Sequence, residues 1–203
     1  MSLDNYPDTE EDKVWRTIKP DDIWFMDKLI LSRKLGYKCG PTGLDVDEPG
    51  YYCVRPCVNM LGLGLSTQKV WLDKSTMHLP VGHFWCEWFE GDHLSVDYRF
   101  GKQELTVQGF RGLQTFTRWD AWVKVDKEVP LPTILYNQTW REYINCEFIG
   151  DKLIEVHFRR NEDFDGVKER FIPVWEGQDT TPPEGYTYRP YPDVHGRIGA
   201  FIK

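Results

Sequence analysis

The chain has no surplus of positive charge. Its 203 residues carry 25 Lys and Arg against 32 Asp and Glu, a formal net charge of −7. That balance argues against a surface that wraps nucleic acid. No apolar run approaches the ~18 residues of a membrane span, so no membrane partner is expected. From Met1 to Asp12 the sequence is polar and acidic, without the apolar stretch of a secretion signal, and a cytoplasmic location is expected. Cysteine is sparse and odd in number. Cys39, Cys53, Cys57, Cys86 and Cys146 make no paired framework and suit free thiols in a reducing compartment. Cys53 and Cys57, or His83 and Cys86, lack the repeated C-x2-C spacing of a zinc site. No internal repeat is visible.

Aromatic residues are abundant: nine Trp, ten Tyr and eleven Phe supply both a core and stacking walls. The length suits one domain of two lobes or two small domains. The first dozen residues read as a loose arm. Asp21 to Leu35 has capping acids and helical spacing of Ile23, Met26, Leu29, Ile30 and Leu35, and ends at Gly36. Strands are expected at Tyr51–Val54, Lys69–Leu72, His83–Phe89, Leu94–Tyr98 and Lys102–Gly109. Pro130 to Arg141 reads as a short helix. The proline-rich tail from Thr180 reads as an extended strap ending in a strand at Ile198–Ile202.

Two acidic strand patterns lie back to back, Tyr143 to Ile149 and Leu153 to Arg159, separated by Gly150-Asp-Lys152. Because strands alternate faces, Glu155, His157 and Arg159 point one way and Ile154, Val156 and Phe158 the other. The tight turn brings Glu147 beside Glu155 across the hairpin. Hard oxygen ligands so placed suit Mg²⁺ held between protein and phosphate oxygens. An ordinary solvated hairpin face has the same alternation. Gly62 and Gly64, between two strands, allow a turn whose N–H groups face a phosphate, with Arg55 at its base. A plain surface turn fits that pattern too, and the Gly-Lys-Ser/Thr of a P-loop is missing.

The order of these segments carries more than any one of them. Asp27-Lys28 on a helix is followed by Tyr52-Cys-Val-Arg55-Pro56, then Asn59-Met-Leu-Gly-Leu-Gly64. Next come Trp85-Cys-Glu87-Trp-Phe-Glu-Gly91-Asp-His-Leu-Ser95-Val-Asp97, Asn145-Cys-Glu147-Phe-Ile and Ile154-Glu155-Val-His157-Phe-Arg159. The series, over about residues 20 to 165, resembles the ATP-grasp superfamily. That is the nucleotide domain of carboxylate–amine ligases, biotin carboxylase and carbamoyl-phosphate synthetase.

The resemblance implies an α+β, two-lobed ATP-grasp fold with antiparallel sheets flanking a nucleotide cleft. Its parts would be an arm at 1–20, a small lobe with the glycine loop at 21–86, and a large lobe at 87–203 with the metal hairpin and strap. It implies Lys28 and Arg55 on the phosphates of ATP, with Gly62 and Gly64 covering them. Glu87, Trp88 and Phe89 would form the hinge that reads adenine, and His93 would fall where an acidic ribose ligand usually sits. Glu147, Glu155 and His157 would hold Mg²⁺ or Mn²⁺; His157 replaces an Asn of the family, which suits Mn²⁺. Arg159, with Lys28, would serve catalysis by steadying the transferred phosphoryl group. The implied reaction activates a small carboxylate as an acyl phosphate for attack by an amine. A partner chain is expected to supply the N-terminal domain that this sequence does not show. The alternative is a non-catalytic module that binds nucleotide or a partner through the same cleft.

Overall fold

The computed structural model describes residues 9–58, 64, 66–111, 118–194 and 196–203. Two antiparallel sheets organise them. The first has four strands, β1 (Cys39–Pro41), β2 (Gly50–Pro56), β3 (Gln68–Leu72) and β4 (His83–Glu87), in the order β1-β4-β2-β3. The second has eight: β5 (His93–Arg99), β6 (Lys102–Phe110), β7 (Ala121–Lys124), β8 (Tyr143–Ile149), β9 (Lys152–His157), β10 (Arg170–Trp175), β11 (Thr187–Val194) and β12 (Arg197–Ile202). Their order is β11-β12-β10-β7-β6-β5-β8-β9.

Period-two alternation decides which face is apolar. Leu94, Val96 and Tyr98 of β5, Ile144, Cys146 and Phe148 of β8 and Val156 of β9 are buried together on one face of the large sheet. Phe25, Met26 and Leu31 cover them from the helical segments. Each such side chain contributes about 1.5–3 kcal/mol when fully buried. The inner face of the small sheet has its own core of Tyr52, Val54, Leu72 and Trp85. All five cysteines are free, and Cys39, Cys86 and Cys53 align in register across β1, β4 and β2.

Several elements differ from the sequence expectation. The supposed arm contains a helix, α1 (Glu10–Thr17), opened by a capping box in which Thr9 and Asp12 bond each other's backbone N–H. The expected helix from Asp21 to Leu35 is two pieces, a 3₁₀ segment Pro20–Phe25 and α2 (Lys28–Lys34). The break falls at Asp27, whose extended backbone and carboxylate cap the N–H of Ile30 at 2.9 Å. The helical part of the 130–141 segment is a 3₁₀ turn, Thr133–Gln138. The strand expected at Ile198–Ile202 is present as β12, and the extended segment before it is itself a strand, β11, which pairs with β12 as a hairpin at the sheet edge, while β12 also pairs with β10.

The turns at Gly91 and Gly150 lock the chain between the sheets onto the β8–β9 hairpin. Gly91 has φ 128°, and a Cβ there would lie 2.8 Å from the Gly150 Cα, while the Gly150 N–H donates to the Asp92 carbonyl at 2.9 Å. Among the described residues, no helix is long and apolar enough to cross a membrane.

If the face of β8 toward the helices holds the fold, Ile144→Ala, at a position 0% exposed, should cost about 2–5 kcal/mol in urea unfolding. The same change at Ile30, 39% exposed, should stay within about 0.5 kcal/mol. Equal losses at both positions would show that this face is not the core.

Candidate functional site

The polar face of the large sheet is built by strand register. Glu147 of β8 stands directly opposite Glu155 of β9, and Asn145 opposite His157. On the other side of β8, Ser95 and Asp97 of β5 face Glu147 and Asn145. The expected pairing of the two acids across the hairpin is therefore present, through a register shift between Glu147 and Phe148 that puts Leu153, in place of the expected Ile154, with Val156 and Phe158 in the core.

Glu155 does not stand alone. Its Oε1 lies 2.9 Å from the Lys28 Nζ and 3.2 Å from the His157 Nε2. The other ring nitrogen of His157, Nδ1, lies 3.2 Å from the Oε2 of Glu11, which also accepts from the Arg159 Nε at 2.6 Å. A chain of alternating charge results: Lys28, Glu155, His157, Glu11, Arg159. The side chains of Lys28, His157 and Glu11 are each no more than about a tenth exposed. Burial alone would raise the Glu155 carboxyl, but the Lys28 ammonium, the hydrogen bond and charge of His157 and the nearby Arg55 hold it well below the usual carboxylate range. Burial would likewise lower His157, yet its bonds to Glu11 and Glu155 push it up to about 9. Against its own burial, Glu11 is held down to about 2 by His157 and Arg159. His157 is thus an imidazolium donating from both nitrogens.

Neighbouring groups fix this chain in place. Arg55, on β2 of the small sheet, donates from Nη2 to the Ile154 carbonyl at 2.8 Å, and its guanidinium lies over the Phe84 ring. The backbone N–H of Lys28 donates to the Cys57 carbonyl at 2.8 Å, tying the start of α2 to the end of β2. Under the acids, Asn145 Nδ2 bridges Ser95 Oγ and Asp97 Oδ1, both at 2.8 Å. Asp97 in turn accepts the backbone N–H of Asn161 at 3.0 Å, anchoring the segment that follows Arg159. Burial pushes Asp97 up to about 6 against these hydrogen bonds.

The other expected site residues take partners outside the chain. Glu147 Oε2 is 3.0 Å from the His93 Nε2, and the His93 ring meets Trp119 and Trp122 edge-on. The Nδ1 of His93 and the Nε of Arg55 are buried without a hydrogen-bond partner. The Glu87 carboxylate accepts from the Lys38 backbone N–H at 2.9 Å, and Phe89 packs edge-on against Tyr37. The Trp88 Nε1 donates to Glu90, with Lys69 over its ring. Gly64, at φ 60°, is a left-handed turn residue; Gly62 lies outside the described residues. Among the described residues, no three His, Cys, Asp or Glu side chains converge as a metal cage. Two open concavities, of about 460 and 470 Å³, are lined mainly by β6 and the segments beside it and hold none of these side chains.

Sequence reasoning missed Glu11. The Thr9-Glu-Glu-Asp12 capping signal could have announced its helix. No local signal announces an ion pair with Arg159, 148 residues away.

No protein-family model matches the sequence, and no curated protein does. Solved structures do resemble the fold. A protein from Archaeoglobus fulgidus described as an ATP-grasp superfamily member aligns with TM-score 0.51 and 16% identity. That alignment covers 89% of this chain and 64% of the other, so the chain spans just under two thirds of that protein's length. The ATP-grasp ligase PsnB, complexed with a minimal precursor, gives TM-score 0.45 at 12% identity over 70% of this chain and 53% of that one. The D-alanine–D-alanine ligase of Bacillus anthracis, complexed with ATP, gives 0.39 at 14% over 66% and 55%. The first likeness is the one that bears on architecture: the chain has an α+β ATP-grasp fold.

The charge chain sets a pH window. Glu11, lowered from 4.5 to about 2, contributes stability that is present above pH 4.5 and lost as pH falls towards 2. His157, raised from 6.5 to about 9, contributes fully below pH 6.5 and loses its part as pH rises through 9. Glu11→Gln should therefore cost most between these limits, about 3–5 kcal/mol for breaking one partner of a buried pair. Urea unfolding of parent and variant from pH 4 to 9.5 measures the difference. A gap that does not narrow on the alkaline side would separate His157 from Glu11.

Proposed function

We propose that this chain is an ATP-dependent ligase that activates a small carboxylate as an acyl phosphate for attack by an amine. The observation that carries the reading is the convergence of Lys28, Glu155 and Arg159 in one charge chain on the polar sheet face, next to Arg55, within an ATP-grasp fold. Phosphoryl transfer depends mostly on positioning and on neutralising charge, and these side chains are positioned for both.

In this reading Lys28 and Arg55 draw the phosphates of ATP to the border of the two sheets. Arg159 draws the acceptor carboxylate. An oxygen of that carboxylate bonds the γ-phosphorus as the β–γ bridge breaks and ADP leaves. The amine then attacks the acyl carbon, inorganic phosphate departs, and the amine loses its proton to solvent. Gly62 and Gly64 would cover the phosphates, Glu87 to Phe89 would contact the base through their backbone, and His93 would border the ribose.

Glu147 and Glu155 fit a divalent cation. They stand opposite each other, and each engages its protein partners through one oxygen, Oε2 and Oε1 respectively. Mg²⁺, or Mn²⁺, takes one or two carboxylates and leaves its remaining positions to phosphate and water. Such an ion, if held there, would supply charge neutralisation at the phosphates. His157, with both nitrogens on carboxylates, is assigned the part of a cationic link that aims Glu155. The alternative, a nucleotide-binding or partner-binding module without turnover, draws support from the same cluster, since its acids and bases satisfy one another without any ligand.

ADP release with a panel of amino acids and dicarboxylates, alone and with candidate partner chains, tests the reading. Glu155→Gln and Arg159→Ala should each lower turnover by about a hundredfold or more, while ATP affinity by calorimetry changes far less. Turnover that survives Glu155→Gln would remove Glu155 from the reaction. ATP binding with no turnover in any combination would leave the module.

A further inference from the structure

The ligase reading leaves the buried Glu11 without a part. Glu11 is the only buried residue of α1 and sits 2.6 Å from Arg159 and 3.2 Å from His157. We infer that Arg159 and His157 form a receptor for a substrate carboxylate, and that Glu11 fills it as an exchangeable internal occupant. This deepens the proposed function and rests on it: it names the substrate class as a carboxylate on a short, flexible aliphatic stem, of the kind a glutamyl side chain presents.

The geometry of α1 supports exchange over a permanent clamp. A docked helix normally buries an apolar stripe. Here Val14, Trp15 and Ile18 are only half-buried against the core, and the buried anchor is an acid. The Trp15 Nε1 is itself buried without a hydrogen-bond partner, so that side chain is imperfectly accommodated. Eight residues are too few for a helix to be stable by itself, so α1 depends on its docking. The anchoring charge is also the one group an incoming carboxylate reproduces. Held by a short tether, Glu11 competes at an effective concentration of about millimolar, so a free carboxylate must reach that range to displace it.

Limited trypsin digestion at the exposed Lys13 and Arg16 of α1 reads displacement directly. In the parent protein without nucleotide, N-acetyl-L-glutamate at tens of millimolar should speed cleavage at these sites at least about threefold. N-acetyl-L-glutamine at equal ionic strength should not. In Arg159→Ala, cleavage should start fast and ignore both compounds. In Glu11→Ala, acetate, which matches the missing side-chain atoms one for one, should raise the melting temperature above a sodium chloride control. Cleavage that is the same with both compounds in the parent overturns the inference, whether or not Glu11→Ala folds. Acetate rescue without displacement in the parent would make Glu11 a fixed clamp and overturn it as well. Because no nucleotide is present, these results are independent of ATP calorimetry on the same protein. Loss of ATP binding with displacement intact would strike the ligase reading alone.

Discussion

Two carboxylates placed side by side on adjacent strands repel each other, and here the register leaves no choice: Glu147 faces Glu155 directly. Partly burying such a pair is tolerable only if each acid finds its own compensation. Glu147 turns to His93 on β5, and Glu155 turns to Lys28 and His157. The second solution propagates. A charged His157 needs another anion on its far nitrogen, which Glu11 provides, and Glu11 shares its oxygen with Arg159. The placement of α1 and of the first turn of α2 thus follows from one cross-strand contact. Asp27 caps α2 at the point that lets Lys28, its first residue, reach the edge strand β9.

The resulting chain begins and ends on a cation and has one positive charge more than it has negative. Arg55 adds another beside it, within electrostatic reach of Glu155. The protein as a whole is acidic, at −7, so its distant field disfavours anions. At physiological ionic strength that field is screened beyond about 8 Å, whereas a partly desolvated cluster is screened much less. An anion is therefore not steered from afar but held once it arrives. Such a field suits a site that recognises phosphate and carboxylate groups by contact.

The local part of this arrangement was legible in the sequence. Alternation and the Gly150 turn announced the hairpin and put Glu147 near Glu155, but their direct pairing also depends on a register shift between Glu147 and Phe148 that no local signal gives. Lys28 and Arg55 were found through the order of motifs, although their meeting with Glu155 and the Ile154 carbonyl depends on how the two sheets lie against each other. Glu11 escaped because helix capping is local and its partners are not. The break at Asp27 escaped because helical spacing continues across it, while the capping carboxylate of Asp27 outweighs that continuity. Strands β7 and β10 escaped because short strands in the middle of a sheet are specified by neighbours far away in sequence.

A cluster whose charges all find partners looks finished, and that closure bears on selectivity. Replacing Glu11 by another carboxylate keeps the number of anions on Arg159 and His157 constant, so the exchange carries little electrostatic penalty. Replacing it by an amide or an alcohol would leave the buried His157 and the partly buried Arg159 short of an anion, a loss of up to about 3–5 kcal/mol on the scale of broken buried pairs. Discrimination then comes less from the attraction of the right ligand than from the cost of admitting a wrong one. The self-satisfaction that favours an inert module is, on this argument, also what a selective carboxylate site requires in its resting state.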